Sequence, residues 1–477
     1  MIRTHLRLLL LLSLLGITAC STLTELRQDF ADRVFGREPP NPPAELADIQ
    51  PTHAVKMDWS SNVGKTEKFD YTPALDSTAV YAANAEGEIT KLDPVSGRQI
   101  WQVNVGEPIS GGVGVGAGIV LVGSSKGNIF AYDVSGKLVW KARLSSEILS
   151  VPRYYDGIVI ARSGDNRIYG LDASDGNRKW VYERINPALT LRSSVGVVVD
   201  SGAIYAGFAG GKMVAIRADN GKLIWEATVA QPRGVTEIER IADITSLPVV
   251  DGALVYAVAY QGKIAAVDRA SGRVLWNRDI SSYSGLNAED GKIFVTHTLG
   301  AVYSLDYTSG KTFWRQGALA NRRLTAPLPM GNVIAVGDLE GYVHFLTREE
   351  GKFAARIKLD SNPVMSLIAG TKSNQLIAET RDGGLYAISI DENNVKSTPK
   401  PVSDSKPESE LAPARITLPE PEMSPTEMQE PAVPESSSEP SSERSILFQN
   451  NDSILLPDSS SSDNSSPGIR LPSPEQQ

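Results

Sequence analysis

Short apolar runs separated by clusters of turn residues recur along most of this chain, which is the pattern of strands rather than helices. The stretch from Pro248 to Trp276 shows the unit clearly. Pro248-Val249-Val250-Asp251-Gly252 leads into an apolar run, Ala253 to Tyr260. Ile264 to Val267 is a second run of β-branched and small residues, suited to a half-buried pleated surface. Asp268 then opens a turn, where its carboxylate can accept from backbone N–H groups just ahead. Gly272 supplies the positive φ that the turn requires, and the strand after it carries Trp276. The unit therefore predicts about four short antiparallel strands joined by tight turns.

The unit repeats. Gly87 to Trp101 reads GEITKLDPVSGRQIW, Gly127 to Trp140 reads GNIFAYDVSGKLVW, and Gly262 to Trp276 reads GKIAAVDRASGRVLW. Asn166 to Trp180, Gly211 to Trp225 and Gly300 to Trp314 follow the same form. A seventh copy, Gly341 to Ala355, has lost its tryptophan. The seven tryptophans of the chain are Trp59, Trp101, Trp140, Trp180, Trp225, Trp276 and Trp314, separated by 42, 39, 40, 45, 51 and 38 residues. Four strands per unit of about forty residues is the signature of a β-propeller. A large aromatic at a fixed place in each blade reads as a wedge against the next blade, not as a ligand group. The turn glycine stands in every copy, whereas the turn aspartate is replaced by Arg217 and Thr347.

The ends of the repeat complete one another. Gln375 to Thr380 and Gly384 to Ser389 form a strand pair with no tryptophan strand after it, and Met57-Asp58-Trp59 is a tryptophan strand with no unit before it. Joining them completes one blade and closes a ring through the chain ends. The predicted fold is all-β: an eight-bladed β-propeller of four-stranded antiparallel blades, with seven blades as the alternative, followed by a disordered C-terminal tail.

Composition divides the rest of the chain. From Asn394 to Gln477 there are 14 acidic and 6 basic residues, a net of −8, against −9 for all 477 residues. The body is thus nearly neutral, and no basic stripe suggests nucleic acid. The tail, 394–477, is rich in Pro, Ser and Glu and reads as disordered. Its two apolar islands, Ile446-Leu447-Phe448 and Ile454-Leu455-Leu456, are open to reading as linear motifs or as chance. At the other end, Arg3 and Arg7 precede a short apolar run, Leu8 to Leu15, the form of a signal peptide over 1–19 and too short to span a bilayer. Small residues then lead straight into Cys20, the only cysteine. The mature chain is expected to have no disulfide, thiol nucleophile or thiolate metal ligand. Residues 20–52 read as a tether: Leu23, Leu26, Phe30 and Val34 have helical spacing, and Pro39 to Pro43 is a stiff extended spacer. The propeller is assigned to 53–393.

Chemistry is not evident. His5, His53, His297 and His344 fall in no metal-ligating pattern, and no nucleophile elbow appears. Gly111 to Gly118, GGVGVGAG, superficially resembles a phosphate loop but leads into a strand and lacks a following Lys-Ser/Thr pair, so it reads as a wide turn. Asp172 to Gly176 faintly resembles a calcium loop without its alternating carboxylates. No catalytic residue, cofactor or metal is expected.

The residues before Cys20 resemble the lipobox of bacterial lipoproteins, in which the cysteine is acylated; Ser21 after it implies the outer membrane by the same resemblance. The repeat resembles the quinoprotein-type propeller repeat, shared by pyrroloquinoline-quinone dehydrogenases and by non-catalytic proteins. Those enzymes carry an adjacent cysteine pair that this chain lacks. Lipobox, tether and tryptophan-marked ring together resemble the BamB family of outer-membrane assembly factors, over roughly Cys20 to Ile390. Thr236-Glu237-Ile238-Glu239-Arg240 and Leu189-Thr190-Leu191-Arg192 are similar to that family's inter-blade segments; the acidic tail departs from it. The resemblance implies a non-catalytic subunit of the β-barrel assembly (BAM) complex. It implies as partners the POTRA domains of BamA, other BAM subunits and nascent barrel substrates. It also implies contact residues at Leu189, Leu191, Arg192 and Asp243. Thr245 stands where the family has a second acid, so that half of the contact is weaker here or supplied by a neighbour such as Glu239.

Read from the residues alone, apolar side chains beside an arginine on a connection suit an interface anchor, or else pack under the blades with Arg192 on a local carbonyl. Two other functions stay in view: a periplasmic ligand- or polymer-binding propeller that uses its central channel, and a quinone-dependent dehydrogenase.

Overall fold

A computed structural model describes residues 41–391 apart from 67, 68, 186 and 188. Cys20, the helical spacing of Leu23 to Val34 and the acidic tail lie outside the described residues. Within them the chain forms eight four-stranded antiparallel sheets arranged as a propeller. Seven are built from consecutive strands. The eighth joins Val364–Ala369, Gln375–Thr380 and Gly384–Asp391 to the first strand of the chain, Ala54–Asn62, which pairs from Ala54 opposite Asp391 to Asn62 opposite Gly384. Closure by the two ends of the repeat thus takes the predicted form, with Trp59 on the outermost strand of the shared blade.

Each blade's sequence explains its packing. In the fifth, Ala266 pairs with Trp276 and Val267 with Val274, so Leu275 is an extra residue. A bulge of this kind bends the strand and re-aims the side chain beside it. The Trp276 indole N–H then reaches the next blade and donates to Tyr307 O at 3.1 Å. The same bond runs from Trp59 to Pro94 O at 3.0 Å and from Trp225 to Arg269 O at 2.9 Å. Each ring also covers the following blade's turn glycine. A Cβ on Gly272, where φ is +75°, would sit 2.7 Å from the Trp225 ring. Small size and positive φ are both needed there. The Asp268 carboxylate completes the turn by accepting from Ser271 N at 2.8 Å. Asp172 does the same with Ser174 N at 2.9 Å and pairs with Lys179, so its segment is an ordinary repeat turn.

The apolar core is a ring of wedges between blades. Trp59, Ile377 and Ala387 of the last blade pack on Val80, Ala82 and Leu92 of the first.

Two expectations are corrected. Gly111 to Gly118 is no wide turn: Ile109–Gly116 is the inner strand of the second blade. Its glycines reflect close approach of the neighbouring backbone, since a Cβ on Gly114 would lie 2.0 Å from Pro152 O and one on Gly111 2.5 Å from Ser150 O. The tether, too, is not free along its whole length. From Pro42 onward it is strapped to the sixth and seventh blades. Ala44 N donates to Ala320 O at 2.9 Å, Thr52 N donates to Ala354 O at 2.8 Å, and Leu46 packs against Leu319 and Leu324.

Candidate functional site

Strands alternate in direction within each blade, so every connection from an outer strand to the next inner strand emerges on one face of the ring. The Leu189–Arg192 segment lies in such a connection, between the third blade's last strand, Arg178–Tyr182, and the fourth's first, Val198–Asp200. Asp243 lies in the following one, between Leu223–Thr228 and Val249–Asp251.

The structure brings Leu191 and Asp243 together. Asp243 is buried, and its Oδ2 accepts from Leu191 N at 2.7 Å while Oδ1 accepts from Gly210 N at 3.0 Å. A carboxylate that accepts two backbone N–H groups holds both segments firmly. On the far side of the loop, the buried Arg162 donates from Nη1 to Val195 O at 3.5 Å and to Gly207 O at 2.7 Å, with its guanidinium 4.5 Å from the Phe208 ring. Burial without a carboxylate partner pushes the Arg162 guanidinium down to about 10, still charged at neutral pH. The loop is therefore pinned at Leu191 and at Val195.

Its outward side chains stay accessible, Leu189 at 44% and Leu191 at 37%. Neither is packed fully under a blade. Arg192 does not bond a carbonyl: its guanidinium makes a two-pronged pair with Glu147, Nε donating to Oε1 at 3.0 Å and Nη2 to Oε2 at 2.7 Å. An exposed pair of this kind adds little stability, but its two prongs fix the direction of the Arg192 guanidinium.

Two acidic positions are committed to local hydrogen bonds. Asp243 is buried with both carboxylate oxygens on backbone N–H groups, and so places Leu191. Glu239 is also committed locally: its Oε2 accepts from Val235 N at 2.9 Å and Thr236 N at 3.0 Å, while its own N–H donates to Thr236 Oγ1 at 3.2 Å. This reciprocal capping leaves Val235 and Ile238 exposed at 96% and 68% on the same connection. The acid beside the loop is Glu147, in the connection one blade earlier, which the sequence does not signal because it lies 45 residues from Arg192.

A second polar cluster was not foreseen. In the seventh blade, the buried Asp338 accepts from Arg322 Nε at 2.7 Å and pairs with His344 Nε2 at 2.9 Å; Arg356 Nε donates to His344 Nδ1 at 3.0 Å. An arginine can only donate, so Nδ1 is an acceptor and the ring proton sits on Nε2. Arg322 Nη1 donates onward to Ala44 O at 2.8 Å and Arg356 Nη1 to Ala47 O at 3.1 Å. These side chains hold the strap of residues 42–53 on the ring. No group of three or more potential metal ligands gathers among the described residues.

Fold and site together define an eight-bladed propeller of the quinoprotein-repeat type that displays pinned, apolar inter-blade loops. The model of the family described as "Outer membrane protein assembly factor BamB" matches residues 85–316 and 298–396. The outer membrane protein assembly factor BamB of Nitrosomonas eutropha is 37% identical over 389 residues, covering 81% of this chain and 95% of that one. The crystal structure of BamB from Moraxella catarrhalis superposes with a TM-score of 0.65 at 26% identity, covering 70% of this chain and all of that one. The quinohemoprotein alcohol dehydrogenase of Comamonas testosteroni superposes with a TM-score of 0.59 at 13% identity over 70% of this chain and 76% of its own, a likeness of fold alone. The chain belongs to the BamB family of outer membrane protein assembly factors.

Proposed function

We propose that this chain is a non-catalytic scaffold subunit of the outer-membrane β-barrel assembly complex. It is anchored by acylated Cys20, faces the periplasm and assists folding and insertion of barrel proteins by binding the POTRA domains of BamA. The observation that carries the reading is the pinned loop: Leu189 and Leu191 are exposed on a backbone fixed from both sides, beside an oriented Arg192. Apolar anchors with an arginine suit an interface centre, and a loop already held in place loses less entropy on docking. The outer strand of each blade also has an unpaired edge. Ile100, Val139, Ile224, Leu275 and Phe313 are exposed along those strands, a template on which an incoming strand can pair. The family's assembly role and the absence of a spare cysteine support the non-catalytic reading. Dye reduction by the purified protein with the quinone and calcium would reverse it.

The test is affinity recovery of BamA from membranes. Replacing Leu189, Leu191 and Arg192 by alanine together should reduce recovery by about tenfold or more, the scale of losing one or two interface anchors. Unchanged recovery removes the loop from the contact. Asp243→Ala keeps all three side chains but frees the loop. It should reduce recovery several-fold and speed amide exchange at Leu191 and Gly210, which tells positioning from direct contact.

A further inference from the structure

The connections that lead into the inner strands surround a central funnel on the same face as these loops, with a cavity volume of about 990 Å³. Three arginines line it: Arg153, Arg323 and Arg381. Among the described residues, none of the three makes a side-chain hydrogen bond or an ion pair. Arg153 begins the inner strand of the third blade, Arg153–Tyr155, so a rigid element carries it. Its partial burial lowers its pKa from the usual guanidinium value with no carboxylate to offset the desolvation. The only acid lining it among the described residues, Asp70, already accepts from Ser194 Oγ at 2.9 Å. Two lining hydroxyls, Thr245 Oγ1 and Ser246 Oγ, are buried with no hydrogen-bond partner. Buried polar groups are nearly always satisfied, so such orphans call for an explanation. Val151, Leu247, Leu324 and Met365 make much of the remaining wall apolar.

The wall is thus rich in unused donors, poor in acceptors and partly greasy. We propose that the funnel is a binding site for an amphiphilic oxyanion of small-molecule size. Its carboxylate or phosphate is held by Arg153, Arg323 and Arg381, and its apolar body lies against Val151, Leu247, Leu324 and Met365. Guanidinium forks match either oxyanion in two-pronged geometry. A concave site strengthens the attraction by focusing the field, and the volume lies at the upper end of the range for ligand pockets.

The experiment is calorimetric titration of the full chain with decanoate, decyl phosphate, methyl decanoate and inorganic phosphate. Decanoate or decyl phosphate should bind with one site per chain, and the preference between them identifies the head group. Methyl decanoate and inorganic phosphate should bind at least about tenfold more weakly. Arg153→Gln should weaken binding by about ten- to a hundredfold, the scale of a charge-assisted hydrogen bond. Arg381→Gln, on an exposed turn, should weaken it several-fold and serves if the first variant does not fold. Failure of both amphiphiles to bind overturns the assignment. So does equal binding of the methyl ester or of inorganic phosphate, or unchanged affinity in the folded arginine variants. The variant lacking Leu189, Leu191 and Arg192 should bind these ligands normally, so this site and the BamA contact fail or stand separately.

Discussion

Asp338→Asn will destabilise the propeller by about 3 kcal/mol or more, read as a lower urea midpoint. The carboxylate is fully buried; one oxygen serves two side chains, the equally buried Arg322 and the Nε2–H of His344, and the other accepts from Glu340 N and Tyr342 N. Removing one partner of a buried pair leaves an uncompensated charge, a loss of about 3–5 kcal/mol. Glu340 also contacts Arg322 but is itself half-exposed, so it recovers only part of the loss. The strap should loosen too, because Arg322 holds Ala44 O, and amide exchange at Ala44 should rise in the variant.

The same cluster sets an acid limit. Burial holds the His344 imidazole below its ordinary pKa. As pH falls through about 6.5 the unfolded chain takes up a proton that the folded ring resists, so the unfolded state binds more protons and stability drops. The Asp338 carboxyl is also held below its ordinary value, with hydrogen bonds to His344, Tyr342 and Arg322 outweighing desolvation. It adds a further loss below about pH 4. His344→Gln keeps one donor and one acceptor without the titration. Its urea midpoint should be flatter than the parent's between about pH 6.5 and 5; an unchanged slope would place the acid sensitivity elsewhere.

What was legible in the chain followed from local chemistry. The turn glycines and bulged tryptophans recur because each is required by its own hairpin and by an identical neighbour, so spacing alone revealed the ring and its closure at Trp59. Gly114 looked like part of a loop because the reason for its missing side chain is Pro152 O, on the next blade. The local role of Asp243 was not legible because it joins two connections, at Leu191 and at Gly210. The strap's contacts span hundreds of positions, Arg322 to Ala44 and Arg356 to Ala47. The clustering of Arg153, Arg323 and Arg381 likewise exists only once the ring is closed.

Glu379 limits stability from the alkaline side, and Glu379→Gln will stabilise the protein by about 2–4 kcal/mol at pH 8. The side chain lies within Gln375–Thr380 of the shared blade, fully buried, with Oε1 unpartnered and Oε2 only 3.4 Å from Ser366 Oγ. Burial pushes its carboxyl up to about 8 from 4.5. Between those values the folded ring holds a proton that the unfolded chain releases. The folded state therefore binds more protons, and stability falls as pH rises from about 4.5 to 8, by roughly 1.4 kcal/mol per unit at the steepest. This slope opposes that of His344 below about pH 6.5, so above that pH it acts alone and the parent should lose stability steadily toward pH 8. Glutamine is neutral throughout and nearly isosteric. It removes the alkaline slope, so its advantage should vanish near pH 4.5 and grow toward pH 8. Urea unfolding of both proteins across that range is the measurement. A constant offset between them would mean that Glu379 is ionised in the folded ring. Because Glu379 shares its blade with Ala54–Asn62, the strand that closes the ring, loss of its proton should loosen closure first. Amide exchange in Trp59 to Asn62 should then accelerate between pH 7 and 9, beyond the intrinsic base-catalysed rise, in the parent and not in the glutamine variant.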